Sequence, residues 1–241
     1  MLIDHAAYVL LVAWARSRHA WGAGVESFAF YRAMRIIGRL AFPIFCFLLA
    51  EGFRHTRSRA KYLLRLLLFA LVSEIPFDLA FNGAPWKLSL RPTVLPLEFT
   101  SQNVGFTLLL GLAAVWLWDA LLPEGKKPTA LRVFGAVLGA GLCACAAFWL
   151  HTDYDAMGVV LIVVMDRLRR KPWLRDLAAF GTLAAMIPFG SSWIELLAAF
   201  GFPLLHLYNG KRGRQWRWFF YVFYPGHLLL LALLRLRLFG N

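Results

Sequence analysis

Apolar positions along the chain fall into nine blocks, 2–15, 36–53, 62–81, 104–122, 131–150, 156–168, 174–189, 192–208 and 218–239, parted by short runs rich in Arg, Lys, Gly and Pro. A helix that crosses about 30 Å of hydrocarbon needs roughly 20 apolar residues, so blocks of this kind predict membrane-spanning helices. Several are shorter than a full span, and the sixth and seventh require little tilt, a thinned bilayer or shielding by neighbours. No Gly/Ser linker, low-complexity tail or repeat divides the chain. The expectation is one all-α integral membrane domain over residues 1–241, a polytopic bundle of about nine transmembrane helices.

The first block is short. At 1.5 Å per residue it reaches about 21 Å, some two turns less than the hydrocarbon thickness. It opens as MLIDH, without the basic n-region and small-residue cleavage site of a signal peptide. The first helix is therefore expected to be either half-inserted or truncated, with the true start upstream of Met1.

Composition supports the membrane class. Of 241 residues, 60% are apolar and 16% charged, against about 25% charged in soluble proteins, which excludes a soluble enzyme or a disordered tail. The formal charge of +13 does not turn the chain into a nucleic-acid binder, which is basic without being this apolar. The excess has a topological origin. The loops after the second, fourth, sixth and eighth blocks hold 17 of the 26 Lys and Arg residues, so the positive-inside rule places those loops and the N-terminus in the cytoplasm. The first loop, with Arg16, Arg18, Arg32, Arg35 and Arg39, dissents. All ten tryptophans fall near block ends, where an indole meets both hydrocarbon and water. Cys46, Cys143 and Cys145 lie inside apolar runs and read as small hydrophobes, with no metal site expected.

An acid or histidine inside a bilayer is costly and marks function by default. Four groups qualify. Asp4 and His5 are adjacent, about 100° apart on a helix, and so look for different partners. With one ring nitrogen held, the other nitrogen of His5 accepts a proton near neutral pH; a polar N-terminus at the interface is the bland alternative. Glu51 closes the run from Phe42 to Ala50, placed either to orient His5 or to pair with Arg54 or Arg39. Glu74 and Asp78 share a face at i and i+4 around Pro76, implying a polar cavity or a kinked scaffold with an Arg partner. Tyr224 and His227 share a face of the ninth block, beside a loop with Lys211, Arg212 and Arg214 that either holds phosphates or simply marks the cytoplasmic side. Asn103 and Thr107, with Tyr154 and Asp155, border the outer half as candidate exit lining. No G-x-x-x-x-G-K-[ST], H-E-x-x-H or G-x-S-x-G occurs, so ATP-driven transport, zinc proteolysis and α/β-hydrolase chemistry lack their usual marks.

Three stretches together carry a resemblance: MLIDH at Met1 to His5, RIIGRLAFPIFCFLLAEGFRHTRSRAKYLLRLLLFALVSEIPFDLAFN from Arg35 to Asn82, and YNGKRGRQWRWFFYVFYPGHLLLL from Tyr208 to Leu231. The sequence resembles the TraX family of polytopic membrane proteins, whose namesake N-acetylates conjugative pilin. Residues 120–205 look generic. The resemblance implies a bacterial cytoplasmic-membrane acyltransferase moving an acetyl group from cytoplasmic acetyl-CoA to a pilin N-terminus or another cell-surface glycan or lipid acceptor. It puts the catalytic Asp-His on Asp4 and His5. The expected site then has His5 as general base, Glu51 or Asp4 steadying the imidazolium, and Arg39 or Tyr224 at the oxyanion; an acyl-His intermediate is equally compatible with these residues. Arg54, Arg57, Lys211 and Arg212 would hold the donor, with Tyr224 and His227 at its thioester, and Glu74, Asp78, Asn103 and Thr107 would line the substrate pocket. The rival expectation is a proton-coupled transporter or flippase with Glu74, Asp78 and His227 as its relay.

Overall fold

The computed structural model describes residues 1–17, 28–81, 101–123, 125, 127–189, 193–211 and 217–239. Arg212, Trp21, Trp86 and Trp216 lie outside the described residues. Every regular element among the described residues is helical, apart from a single bridge between Gln102 and Thr152.

The chain opens with α1 (Leu2–Ala6), a π-helical turn (Ala7–Leu11) and α2 (Val12–Ser17) in one rod. Next come α3 (Ala29–Arg39) and α4 (Ala41–Arg54), which join at Leu40 into a helix of 26 residues. This helix begins before the apolar block does. Arg35 and Arg39 interrupt the hydrophobic run but find acidic partners on neighbouring elements, so helix continues through them.

α5 (Arg59–Phe81) follows, its 23 residues long enough to span, with Pro76 inside it. Arg65, Glu74 and Asp78 make it more polar than the other long helices. α6 (Val104–Leu121) starts at an Asn103 cap, whose side chain accepts from the Gly105 amide at 2.8 Å. α7 (Ala130–Trp149) starts at a Thr129 cap. α8 (Asp155–Arg167) and α9 (Pro172–Met186), with 13 and 15 residues, are shorter than a span. The expected eighth helix is instead a 3₁₀ segment, Trp193–Gly201, running into the one-turn α10 (Phe202–Leu205). α11 (Arg217–Phe239) closes the chain.

Among the described residues, four helices are long and apolar enough to cross a membrane: Ala29–Arg54, Val104–Leu121, Ala130–Trp149 and Trp218–Phe239. The fold is thus an all-helical membrane protein, with shorter helices packed among the long ones. α6, α7 and α8 form one group, and α5 lies against α6 and α11. α5 and α11 run parallel: Phe69 meets Tyr221 and Tyr224, and Arg235 donates to the Ala80 carbonyl at 3.0 Å.

The α6–α8 contact is set by glycine. A Cβ on Gly158 would stand 2.4 Å from the Thr107 methyl. α1 meets α3 at a still tighter point, where a Cβ on Gly38 would lie 2.1 Å from the Asp4 Cβ. Gly38→Ala must push α1 away and with it His5. Overpacking of this kind typically costs about 1–3 kcal/mol. The expected outcome is a measurable drop in thermal stability in detergent, with Gly38→Ser no better; an unchanged melting temperature would show that the contact is loose.

Candidate functional site

Asp4 and His5 part company, as adjacent helical positions must. Asp4 is buried and accepts from Arg35 NH1 at 2.7 Å, with the guanidinium 5.5 Å over the Tyr8 ring. That ion pair ties α1 to α3. His5 turns instead toward α11, where its Nδ1 stands 2.7 Å from His227 Nε2. His227 Nδ1 in turn donates to the Phe223 carbonyl, one turn earlier, at 2.7 Å. The two imidazoles are parallel within 3° and their centroids are 5.0 Å apart. With nitrogens 2.7 Å apart, that separation requires both nitrogens to lie on the line joining the rings. The rings therefore meet edge to edge in one plane, the geometry of a well-aligned hydrogen bond.

Aromatic rings wall this pair. Phe81 stands perpendicular to His5 at 5.5 Å, Tyr224 presents an edge to both histidines, and Phe223 lies against His227. His227 falls near the midpoint of α11, so the pair is deep along a spanning helix.

Arg39, which follows the Gly38 that Asp4 touches, is the second feature. Its NH1 donates to the Tyr154 hydroxyl at 2.9 Å and pairs with Glu195 at 3.1 Å. Tyr154 stacks on Phe42 with centroids 3.5 Å apart. It belongs to a strained turn in which His151, Tyr154 and Asp155 all have positive φ, 50°, 68° and 42°, conformations that non-glycine residues rarely hold.

Three of the four pocket residues expected from sequence make buried hydrogen bonds, in two neighbouring sets. Glu74 Oε2 accepts from the Asn103 amide at 3.1 Å and from its side-chain Nδ2, and the same Nδ2 donates to the Ala70 carbonyl at 2.8 Å. Thr107 donates to the Asp153 carbonyl and lies 3.0 Å from the Thr152 hydroxyl. Asp78 is buried on the same helix as Glu74. These contacts lock α5, α6 and the turn before α8 together, while Glu74 Oε1 finds no hydrogen-bond partner among the described residues.

Glu51 and Arg54 stand elsewhere. Asp4 touches Gly38, and Glu51 lies thirteen residues further along the same helix, about 20 Å at 1.5 Å per residue. Glu51 therefore does not reach His5; the nearest basic group it meets is His55 at 3.7 Å. Arg54, expected as a donor contact, is gripped by two acids, with Nε to Asp166 at 2.6 Å and NH1 to Asp119 at 2.6 Å. Arg59 and Arg167 also bind Asp119. Beside this cluster opens a cavity of about 660 Å³ lined by Glu51, Arg54, His55, Arg59, Asp119, Pro123, Arg169 and Arg170. Arg57 and Lys211 are exposed. Tyr224 and His227, expected at the donor's thioester, sit beside His5.

Sequence reasoning missed Asp119, Asp166, Glu195 and Asp153. Asp119 and Asp166 end apolar helices on the basic side, and an acid there, among so many arginines, is the signal that was available. Glu195, inside the run WIELL, is another lone acid in an apolar block.

A part-buried histidine pair between α1 and α11, and an arginine-lined cavity where α4, α6 and α8 end, define a polytopic membrane protein with ionisable groups held in its interior. The chain matches the TraX protein family over residues 1–235, and it belongs to that family. It is similar to a protein named "Probable fimbrial assembly protein FimC, serogroup H1" from Dichelobacter nodosus, at 30% identity over 252 aligned positions that take in 96% of this chain and 89% of the relative. No solved structure matches it.

Proposed function

We propose that this protein is a membrane-embedded acetyltransferase that moves an acetyl group from acetyl-CoA to the N-terminus of a pilin or to another cell-envelope acceptor, with His5 as general base. The observation that carries the reading is the His5–His227 pair: a base whose one nitrogen is hydrogen-bonded and whose other nitrogen remains for chemistry. Membership of the TraX family and the fimbrial assembly name of its relative supply the pilus context.

The donor's nucleotide head belongs, in this reading, at the arginine-lined cavity. Its volume of about 660 Å³ falls in the ~300–1,000 Å³ range of small-molecule sites, and its guanidinium groups suit phosphate. The loops that form it are those the positive-inside rule assigns to the cytoplasm, where acetyl-CoA is found. The acyl arm then extends along the bundle toward His5, and Arg39 stands near to steady negative charge at the thioester oxygen. The bilayer crossing is completed by the shorter helices, giving the multi-pass inner-membrane topology expected from the nine blocks.

Purified protein in lipid nanodiscs, given labelled acetyl-CoA and a peptide with a pilin N-terminus or an envelope extract, should transfer label to the acceptor. Binding of no acetyl-CoA, together with no labelled product from either acceptor, would overturn the reading. The unpartnered oxygen of Glu74 favours one alternative: a proton-coupled transporter or flippase with Glu74, Asp78 and His227 in its relay. That protein would move a substrate across vesicles without binding acetyl-CoA.

A further inference from the structure

The hydrogen bonds of the histidine pair determine where its protons sit. A carbonyl oxygen only accepts, so the 2.7 Å contact to Phe223 places a proton on His227 Nδ1. A neutral imidazole with Nδ1 protonated has a bare Nε2, which only accepts. The 2.7 Å contact between that Nε2 and His5 Nδ1 then requires a proton on His5 Nδ1. In neutral His5 the remaining nitrogen, Nε2, carries the lone pair. The chain of donors runs one way, from His5 through His227 to the Phe223 carbonyl. Its in-plane alignment, 3° between rings at 5.0 Å, leaves neither ring free to turn without losing a bond.

We propose that His227 is the positioning residue that fixes His5 as its Nδ1–H tautomer, so that the lone pair on His5 Nε2 takes the proton of the acceptor. This rests on the acyl-transfer reading of His5 and assigns to a second histidine the part that a carboxylate plays in a triad. Asp4, the adjacent acid, is not available for it because Arg35 holds that carboxylate. In the step served, the acceptor nitrogen or oxygen bonds to the thioester carbonyl carbon while its proton moves to His5 Nε2. The C–S bond then breaks, and the departing thiolate takes that proton from His5 Nε2 to leave as the free thiol. While His5 is cationic, its Nδ1–H bond to His227 Nε2 becomes charge-assisted and strengthens. His227 thereby stabilises the charged state without touching substrate.

The test uses the full-length protein with ¹⁵N-labelled histidine in nanodiscs, and the His5 and His227 signals are assigned by difference from His5→Ala and His227→Gln. Both residues should appear protonated at Nδ1 and bare at Nε2. A proton on His5 Nε2 in the wild type overturns the proposal, whatever the activity. The kinetic arm compares His227→Gln, whose side-chain oxygen can still accept from His5 Nδ1, with His227→Leu. Loss of the acceptor should lower kcat on the order of 10²-fold in the Leu variant and by about a tenth of that in the Gln variant, with KM for acetyl-CoA unchanged. Equal losses in the two variants, both folded, would also sink it. Should His227→Leu not fold, the wild-type tautomer and the Gln variant still decide. Failure of the acetyltransferase reading itself shows up separately, as His5→Ala retaining full transfer or the wild type showing none.

Discussion

Replacing His5 by Ala is expected to lower the rate of acetyl transfer by about 10²–10⁴-fold, the usual contribution of a positioned general base. At about 1.4 kcal/mol per decade this is roughly 3–5 kcal/mol of transition-state stabilisation. The fold should survive the change. α1 is held to α3 by the buried Asp4–Arg35 pair and the Gly38 contact, neither of which involves the imidazole. The effect should fall on kcat with KM for acetyl-CoA nearly constant, because the arginine-lined cavity begins at Glu51, about 20 Å along the helix from the Gly38 that α1 touches. Labelled acetyl-CoA with purified wild-type and variant protein in matched nanodiscs makes the comparison. Full transfer by His5→Ala would remove His5 from the chemistry. A rise in KM with kcat unchanged would assign it to binding instead.

Parts of this architecture were legible from the chain and parts were not, and the division follows how far apart the interacting residues are. The adjacency of Asp4 and His5 foretold that they would take different partners, because helical geometry turns neighbours about 100° apart. That His5 would meet His227 was beyond any spacing rule: the two are 222 residues apart in the chain and meet only because α1 packs against α11. The second apolar block was cut at residue 36 by its arginines, yet the helix begins at Ala29. Hydropathy charges a price for each cation, whereas in the folded protein Asp4 and Glu195 supply the compensating charge from other elements. Glu51 has the chemistry either to orient His5 or to pair with an arginine, and only the fold decides: helix rise puts it about 20 Å from the Gly38 that α1 touches. The eighth block has the composition of a spanning helix, but its 3₁₀ winding depends on packing against α3, α4 and α9, which composition does not encode.

The arginine and aspartate cluster at the other end of the bundle is expected to be the most sensitive structural point in the protein. Asp166 has no exposed side-chain surface and accepts from both Arg54 and Arg167, while Asp119 accepts from Arg54, Arg59 and Arg167. Arg54 alone therefore clamps α4 to α6 and α8 by bidentate contacts. An uncompensated buried charge costs about 3–5 kcal/mol, and removing Asp166 leaves Arg54 and Arg167 to share the single carboxylate of Asp119. Asp166→Ala should cost a large part of that, read as loss of chemical or thermal stability in nanodiscs, and high salt should change the result little because the Asp166 side chain has no exposed surface. Removing both charges together removes the desolvation cost with them, so the double variant Arg54→Leu with Asp166→Leu should be more stable than Asp166→Ala alone. The remaining arginines around Asp119 keep that carboxylate partnered in the double variant, which is why the rescue should be substantial. A single Asp166→Ala variant within about 1 kcal/mol of wild type would mean the cluster behaves as an exposed surface network. Because the same arginines line the cavity, their release would also open the wall assigned to the donor. Acetyl-CoA affinity should fall together with stability in Asp166→Ala.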